Sequence, residues 1–172
     1  ADKKVDTKLL REKLTSLIED KSKFYITQGF ICTNSKGEID NLGRGGSDYS
    51  AALMGAAINA AQVQIWTDID GMHNNDPRYV DHTFPIRTMS FSEAAELAYF
   101  GAKILHPSTI QPCQDQNIPV LLKNTMNPDA PGTTISNNED ANAESFHAVA
   151  AKDNITVIRI YSARMLMAYG FL

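Results

Sequence analysis

The segment LGRGGSDYSAALMGAAINAAQVQIW, residues 42–66, passes through three kinds of backbone in succession. Glycines at 43, 45 and 46 around Arg44 form a loop, because they admit positive φ and close approach of the backbone. Residues 49–61 are almost all small or helix-forming, which predicts a helix packed tightly on one side. Residues 62–66 (QVQIW) are short and β-prone, and an Asp-, Asn- and Gly-rich loop follows at 67–78. The same alternation extends outward. Residues 24–32 (FYITQGFIC) predict a strand ending at the turn formers 33–37. Residues 92–101 predict a helix with Ser90 or Ser92 as N-cap and Glu93 in its first turn. Residues 107–115 predict another helix, and 118–122 (IPVLL) another strand. Nearly all-apolar strands alternating with helices predict an α/β protein whose sheet has parallel strands covered on both faces. In such sheets ligands gather where loops leave the carboxyl ends of strands, and the loops 33–48 and 67–78 both occupy that place.

Composition narrows the class. The chain has 172 residues, 43% of them hydrophobic and 21% charged, which suits one folded domain with a terminal appendage. A net charge of -4 and a pI near 5.5 give no electrostatic case for nucleic acid. Residues 1–23 mix charges around Leu9, Leu10, Leu14, Leu17 and Ile18, the spacing of an amphipathic helix with a solvated charged face. No stretch approaches the roughly 18 apolar residues of a membrane span, and no signal-peptide pattern opens the chain, so a cytoplasmic location is expected. Cys32 and Cys113 lack CxxC spacing and read as small, half-buried apolar residues. Residues 124–142, rich in Asn, Pro, Asp, Gly and Thr, read as a loop or linker. Beyond them, 147–160 reads as a strand and 162–172 as the start of a helix, a pair that needs further elements to be buried. Both ends have the look of cuts in a longer protein.

Three segments carry chemical potential. Residues 43–48, leading into a helix, form an anion site in which backbone N–H groups and the helix N-terminus supply positive charge and Arg44 grips a carboxylate or phosphate. The segment is not a Walker A loop, since no Lys follows the glycines at the required spacing. A plain turn with Ser47 or Asp48 as N-cap is the alternative. Residues 66–71 (WTDIDG) with 76–78 (DPR) fail the spacing of a calcium loop, which would put Trp66 first and Pro77 twelfth. They read either as a polar turn or as a nucleotide loop, with Thr67 and Asp68 at base or ribose and Arg78 at the phosphates. In residues 101–107 (GAKILHP), Lys103 is a helix-terminal charge or a phosphate contact, and His106 before a proline is a structural histidine. His73, His82 and His147 share no ligand spacing, and Met165 and Met167 read as core.

Taken together, ITQGF (26–30), LGRGGSDYSAAL (42–53), IWTDIDG (65–71), DPR (76–78) and FGAKILHP (100–107) resemble the aspartate kinases of the amino acid kinase superfamily, in order and in spacing. The resemblance covers most of residues 24–136. It implies a three-layer αβα sandwich of the carbamate kinase-like type, of which residues 1–137 are the C-terminal, nucleotide-binding part. It further implies a linker at 138–146 and, at 147–172, the truncated start of an ACT regulatory domain. By the same resemblance Phe30, Arg44 and Ser47 line the aspartate site and Asp48 is the acidic catalytic residue. Thr67, Asp68, His73, Arg78, Lys103 and Ile104 sit at ATP, His73 standing where relatives commonly have Tyr. The family's Lys-containing N-terminal KFGG-type segment is absent from these residues, which implies an inactive fragment.

The implied reaction moves the γ-phosphoryl of ATP, with Mg2+, to the β-carboxylate of L-aspartate. A carboxylate with an ordinary pKa of about 3.9 is ionised near neutral pH and needs no general base. Placement and cancellation of charge carry such catalysis, which matches segments supplying Arg, Lys and glycine but no Ser-His or Cys-His pair. The resemblance also implies a homo-oligomer inhibited by lysine or threonine, with no nucleic-acid or membrane partner. Two rivals remain at this point: another kinase of the superfamily, acting on glutamate, N-acetylglutamate or UMP, and a non-catalytic amino-acid-binding module.

Overall fold

The computed structural model describes residues 5–76, 78–100, 105–137, 148–151 and 154–159. Helix α1 (Thr7–Leu17) is N-capped by Asp6, whose carboxylate accepts from the Leu9 amide at 2.9 Å. Strands β1 (Ile31–Thr33) and β2 (Ile39–Asn41) pair antiparallel as a hairpin. Its turn is built by the Asn34 side chain, which accepts from the amides of Lys36 and Glu38. Helix α2 (Gly46–Ile58) leads into β3 (Val63–Thr67), followed by β4 (Thr88–Ser90), α3 (Phe91–Phe100), a 3-10 turn at Pro107–Thr109, α4 (Gln111–Asp115), β5 (Val120–Asn124) and β6 (Thr133–Ser136).

The four-stranded sheet runs β3-β5-β6-β4. β3 pairs parallel with β5 and β4 parallel with β6, while β5 and β6 are antiparallel. The α/β class expected from the alternation is therefore present, in a mixed sheet with two of its three pairings parallel. Alternation along the strands buries Val63, Ile65, Val120, Leu122, Thr133, Ile135 and Met89 on one face. Ala52 and Ala56 of α2 and Phe91, Ala94 and Leu97 of α3 join the same core. The small residues of α2 allow its close approach to β3, since a Cβ on Gly55 would stand 2.3 Å from Val63 Cγ2. Ser90 and Glu93 form a reciprocal capping box on α3, with Ser90 N–H donating to Glu93 at 2.7 Å and Glu93 N–H to Ser90 Oγ at 3.1 Å.

Several expectations are corrected. Of the strand predicted at 24–32 only the last residues are paired, and Phe24 and Ile26 are 100% and 99% exposed. A strand needs a neighbour to satisfy its backbone, and the described residues supply none there. The helix predicted at 107–115 is broken at Ile110 into the 3-10 turn and α4. Within the stretch read as linker, β6 is a core strand, because Thr133 and Ile135 alternate inward and Thr133 satisfies its hydroxyl inside. Residues 155–159 form no strand, with Val157 and Ile158 exposed. His147, Met165, Met167 and the helix expected at 162–172 lie outside the described residues.

Candidate functional site

Helix α2 starts on Gly45, in left-handed conformation with φ 69°, and carries no side-chain cap. Ser47 and Asp48 are thus inside the helix and do not cap it. Glycine serves here because the turn needs positive φ and because a Cβ on Gly45 would stand 2.8 Å from Thr109 Cγ2 and 3.3 Å from His106 Cβ. The glycine loop is therefore seated directly on the segment that follows residues 101–104. On its other side Gly46 packs under Phe30, where a Cβ would meet the ring at 2.7 Å.

Phe30 has φ 71°, a strained conformation for a residue with a side chain. Three contacts hold it. Its N–H donates to Ser50 Oγ at 2.8 Å, its carbonyl accepts from the Leu42 amide at 2.9 Å, and its ring lies against Gly46. Ser50, buried in α2, also donates to the Gly46 carbonyl at 2.8 Å. Ser50 was not singled out in the sequence, although a lone hydroxyl in an Ala- and Gly-rich helix face was a signal for it. Arg44 and Ser47 are exposed, and Arg44 makes no hydrogen bond or ion pair with the described residues. Asp48 is half-buried, and burial pushes its carboxyl above the ordinary value of 3.8.

The second loop leaves the carboxyl end of β3. Thr67 donates to Asp68 at 3.0 Å, and Asp68 is exposed. Arg78 is engaged by Asp76, its Nε donating to both carboxylate oxygens at 3.0 Å and its Nη2 closing a bidentate pair. His73 Nδ1 is 2.8 Å from Thr83 Oγ1, and its backbone bridges to Pro85. His106 Nδ1 lies 2.7 Å from Ser108 Oγ, in keeping with a structural histidine. Lys103 and Ile104 lie outside the described residues.

The two loops leave the same end of the α2–β3 pair. The C-terminal part of α2 touches the first residue of β3, Gly55 against Val63, so helix and strand run antiparallel. A helix of 13 residues spans about 20 Å and a strand of five residues about 17 Å. The N-terminus of α2 is consequently level with the carboxyl end of β3. Among the described residues no three His, Cys, Asp or Glu side chains converge as a metal centre. Asp68 is exposed and Asp48 half-buried. Free Cys32 is half-buried and Cys113 is buried, its thiol pushed up to about 11 by desolvation.

The chain is thus an α/β protein with an uncapped helix start level with the carboxyl end of β3, the end of such sheets where ligands commonly gather. The chain belongs to the amino acid kinase family, whose pattern it matches over residues 1–124. It is 46% identical over 147 residues to the lysine-sensitive aspartokinase 3 of Escherichia coli, an alignment covering 86% of this chain and 32% of that protein. The structure of E. coli aspartokinase III in complex with aspartate and ADP superposes with a TM-score of 0.76 and 44% identity, over 84% of this chain and 33% of that one. The complex of the same enzyme with lysine and aspartate gives 0.70 and 43%, over 80% and 32%. The chain thus spans about a third of the length of these relatives.

Proposed function

We propose that this chain is the nucleotide-binding part of an aspartate kinase, which transfers the γ-phosphoryl of ATP to the β-carboxylate of L-aspartate. The reading is supported by the α2–β3 geometry, in which the helix start after the glycine loop at 43–46 is level with the end of β3, from which the 67–71 loop leaves. An amino acid gripped by Arg44 there faces a triphosphate at the second loop. Phe30 and Ser47 shape the acceptor site. Thr67 and Asp68 meet the nucleoside, with His73 and Ile104 beside it. Arg78 reaches the phosphates by sharing its guanidinium with Asp76, and Lys103 adds a second cation.

The acceptor carboxylate is already ionised, so the protein's task is alignment and cancellation of repulsion between two anions. First-turn N–H groups of α2 and Arg44 lower the potential where the anions meet. Asp48 orders a basic group or a hydrated Mg2+ at that point. Mg2+ arriving with ATP neutralises phosphate charge. The apolar, exposed residues Ile155, Val157 and Ile158, which pair in no strand here, suit a surface that an ACT domain would cover, and with it inhibition by lysine or threonine in a homo-oligomer. A cytoplasmic location accords with the finding that no described helix is long and apolar enough to cross a membrane.

The test is a coupled ADP-release assay of a polypeptide of the relatives' full length, offered aspartate, glutamate, N-acetylglutamate and UMP in turn. Turnover with aspartate at least about a hundredfold above the others is expected, the discrimination a buried polar site commonly achieves. Preference for any other acceptor would overturn the assignment.

A further inference from the structure

We propose that Asn124, which the sequence reading put at the start of a loop or linker, is the positioning residue that sets the 67–71 loop for nucleotide. The inference deepens the kinase reading and rests on it. Asn124 ends β5 and is paired in register with Thr67, the last residue of β3. The residue is 9% exposed, and both ends of its amide are engaged: Nδ2 donates to the Asp70 carboxylate and Oδ1 accepts from the Met126 amide at 2.8 Å. The neighbouring Thr125 amide donates to the Thr67 carbonyl at 2.7 Å.

The far side of the loop is fastened as tightly. Thr133 Oγ1 accepts from the Met72 amide at 2.8 Å and donates to the Ile86 carbonyl at 2.6 Å. Between the two fastenings Gly71 has φ 109°, and a Cβ there would stand 2.4 Å from Thr133 Oγ1. The loop is therefore clamped at Asp70 and at Met72, with no room for a side chain at Gly71 between them.

An amide is the group this place requires, since it donates to a carboxylate on one side while accepting from a backbone N–H on the other. Asp at 124 would accept on both sides and set two carboxylates against each other. The clamp also divides the two loop acids between separate tasks. Asp70 is held by Asn124, whereas Asp68 is exposed to a ligand.

The experiment uses the full-length enzyme with Asn124→Asp, Asp70→Ala and the double variant Asp70→Asn/Asn124→Asp. Steady-state kinetics, calorimetric binding of ATP and thermal melts are recorded for each. Asn124→Asp and Asp70→Ala are expected to raise the ATP KM about tenfold, the loss of one hydrogen bond to a charged group, while changing the aspartate KM less than about twofold. The double variant restores the pair with donor and acceptor exchanged and should recover most of the ATP affinity. An unchanged ATP KM in a folded single variant overturns the proposal, as does a double variant no better than Asn124→Asp. If Asn124→Asp does not fold, Asp70→Ala and the double variant decide by the same criteria. Failure of the kinase reading would appear separately, as a wild-type protein that binds ATP or not but phosphorylates no aspartate.

Discussion

Arg44 is the side chain on which the acceptor reading turns, because it is exposed at the helix entrance and makes no hydrogen bond or ion pair with the described residues. Arg44→Ala in the full-length enzyme should raise the aspartate KM strongly and the ATP KM little, at a cost of about 2–4 kcal/mol for one preorganised charged contact. Initial-rate kinetics with each substrate varied will measure it, and equal effects on both would remove the assignment. Asp48 has a physical signature of its own. Its folded pKa is raised by desolvation, so the folded state binds its proton more tightly than the unfolded chain does. Its contribution to stability is complete below the ordinary value of 3.8 and is lost as pH rises through the folded value. Asp48→Asn should therefore melt higher than wild type at pH 7, and the difference should vanish in melts below the ordinary value. Both residues were legible in the sequence as polar side chains in or just after a glycine loop at a helix entrance. Asn124 was not, since an amide advertises nothing until its two partners are placed, and Ser50 offered only its place in an Ala- and Gly-rich helix.

The glycine loop and α2 work as one unit, and their tolerance can be tested by a paired substitution. Gly45→Ala imposes a side chain on a left-handed residue, costing about 1–2 kcal/mol, and also drives Cβ against Thr109 Cγ2. Thr109→Ser removes that methyl while keeping the hydroxyl bond to the His106 carbonyl at 2.6 Å. Denaturant unfolding should show Gly45→Ala destabilised and Gly45→Ala/Thr109→Ser partly recovered. No recovery would mean that the contact with Thr109 is not what selects glycine. Helix α2, β3 and the α3 cap at Ser90 were readable locally, because composition, β-branching and capping chemistry act over a few residues. The break at Ile110 and the burial of β6 were not, since Thr133 looks polar until its hydroxyl is seen bonded to Met72 and Ile86.

Among the described residues, the stretch 24–30 leaves apolar side chains unsatisfied. Phe24 and Ile26 are exposed, and residues 24–30 form no strand although their composition favours one. In a polypeptide of the relatives' full length that segment is expected to find a sheet neighbour. Hydrogen exchange monitored by mass spectrometry should show amides 24–28 exchanging fast in the 172-residue chain and strongly protected in the longer one. Equal rates in both would refute the expectation. Local chemistry was sufficient for the alternation of helices and strands, the anion-friendly glycine loop and the acidic loop after β3, because each is written in near-neighbour preferences for φ, burial and charge. Strand order, the antiparallel insertion of β6, the seating of Gly45 on Thr109 and the clamp of Asn124 on Asp70 join residues as much as 64 positions apart. Such pairings depend on which backbones come to share a sheet and a core, a choice made by the chain's collective packing and invisible in any short stretch of it.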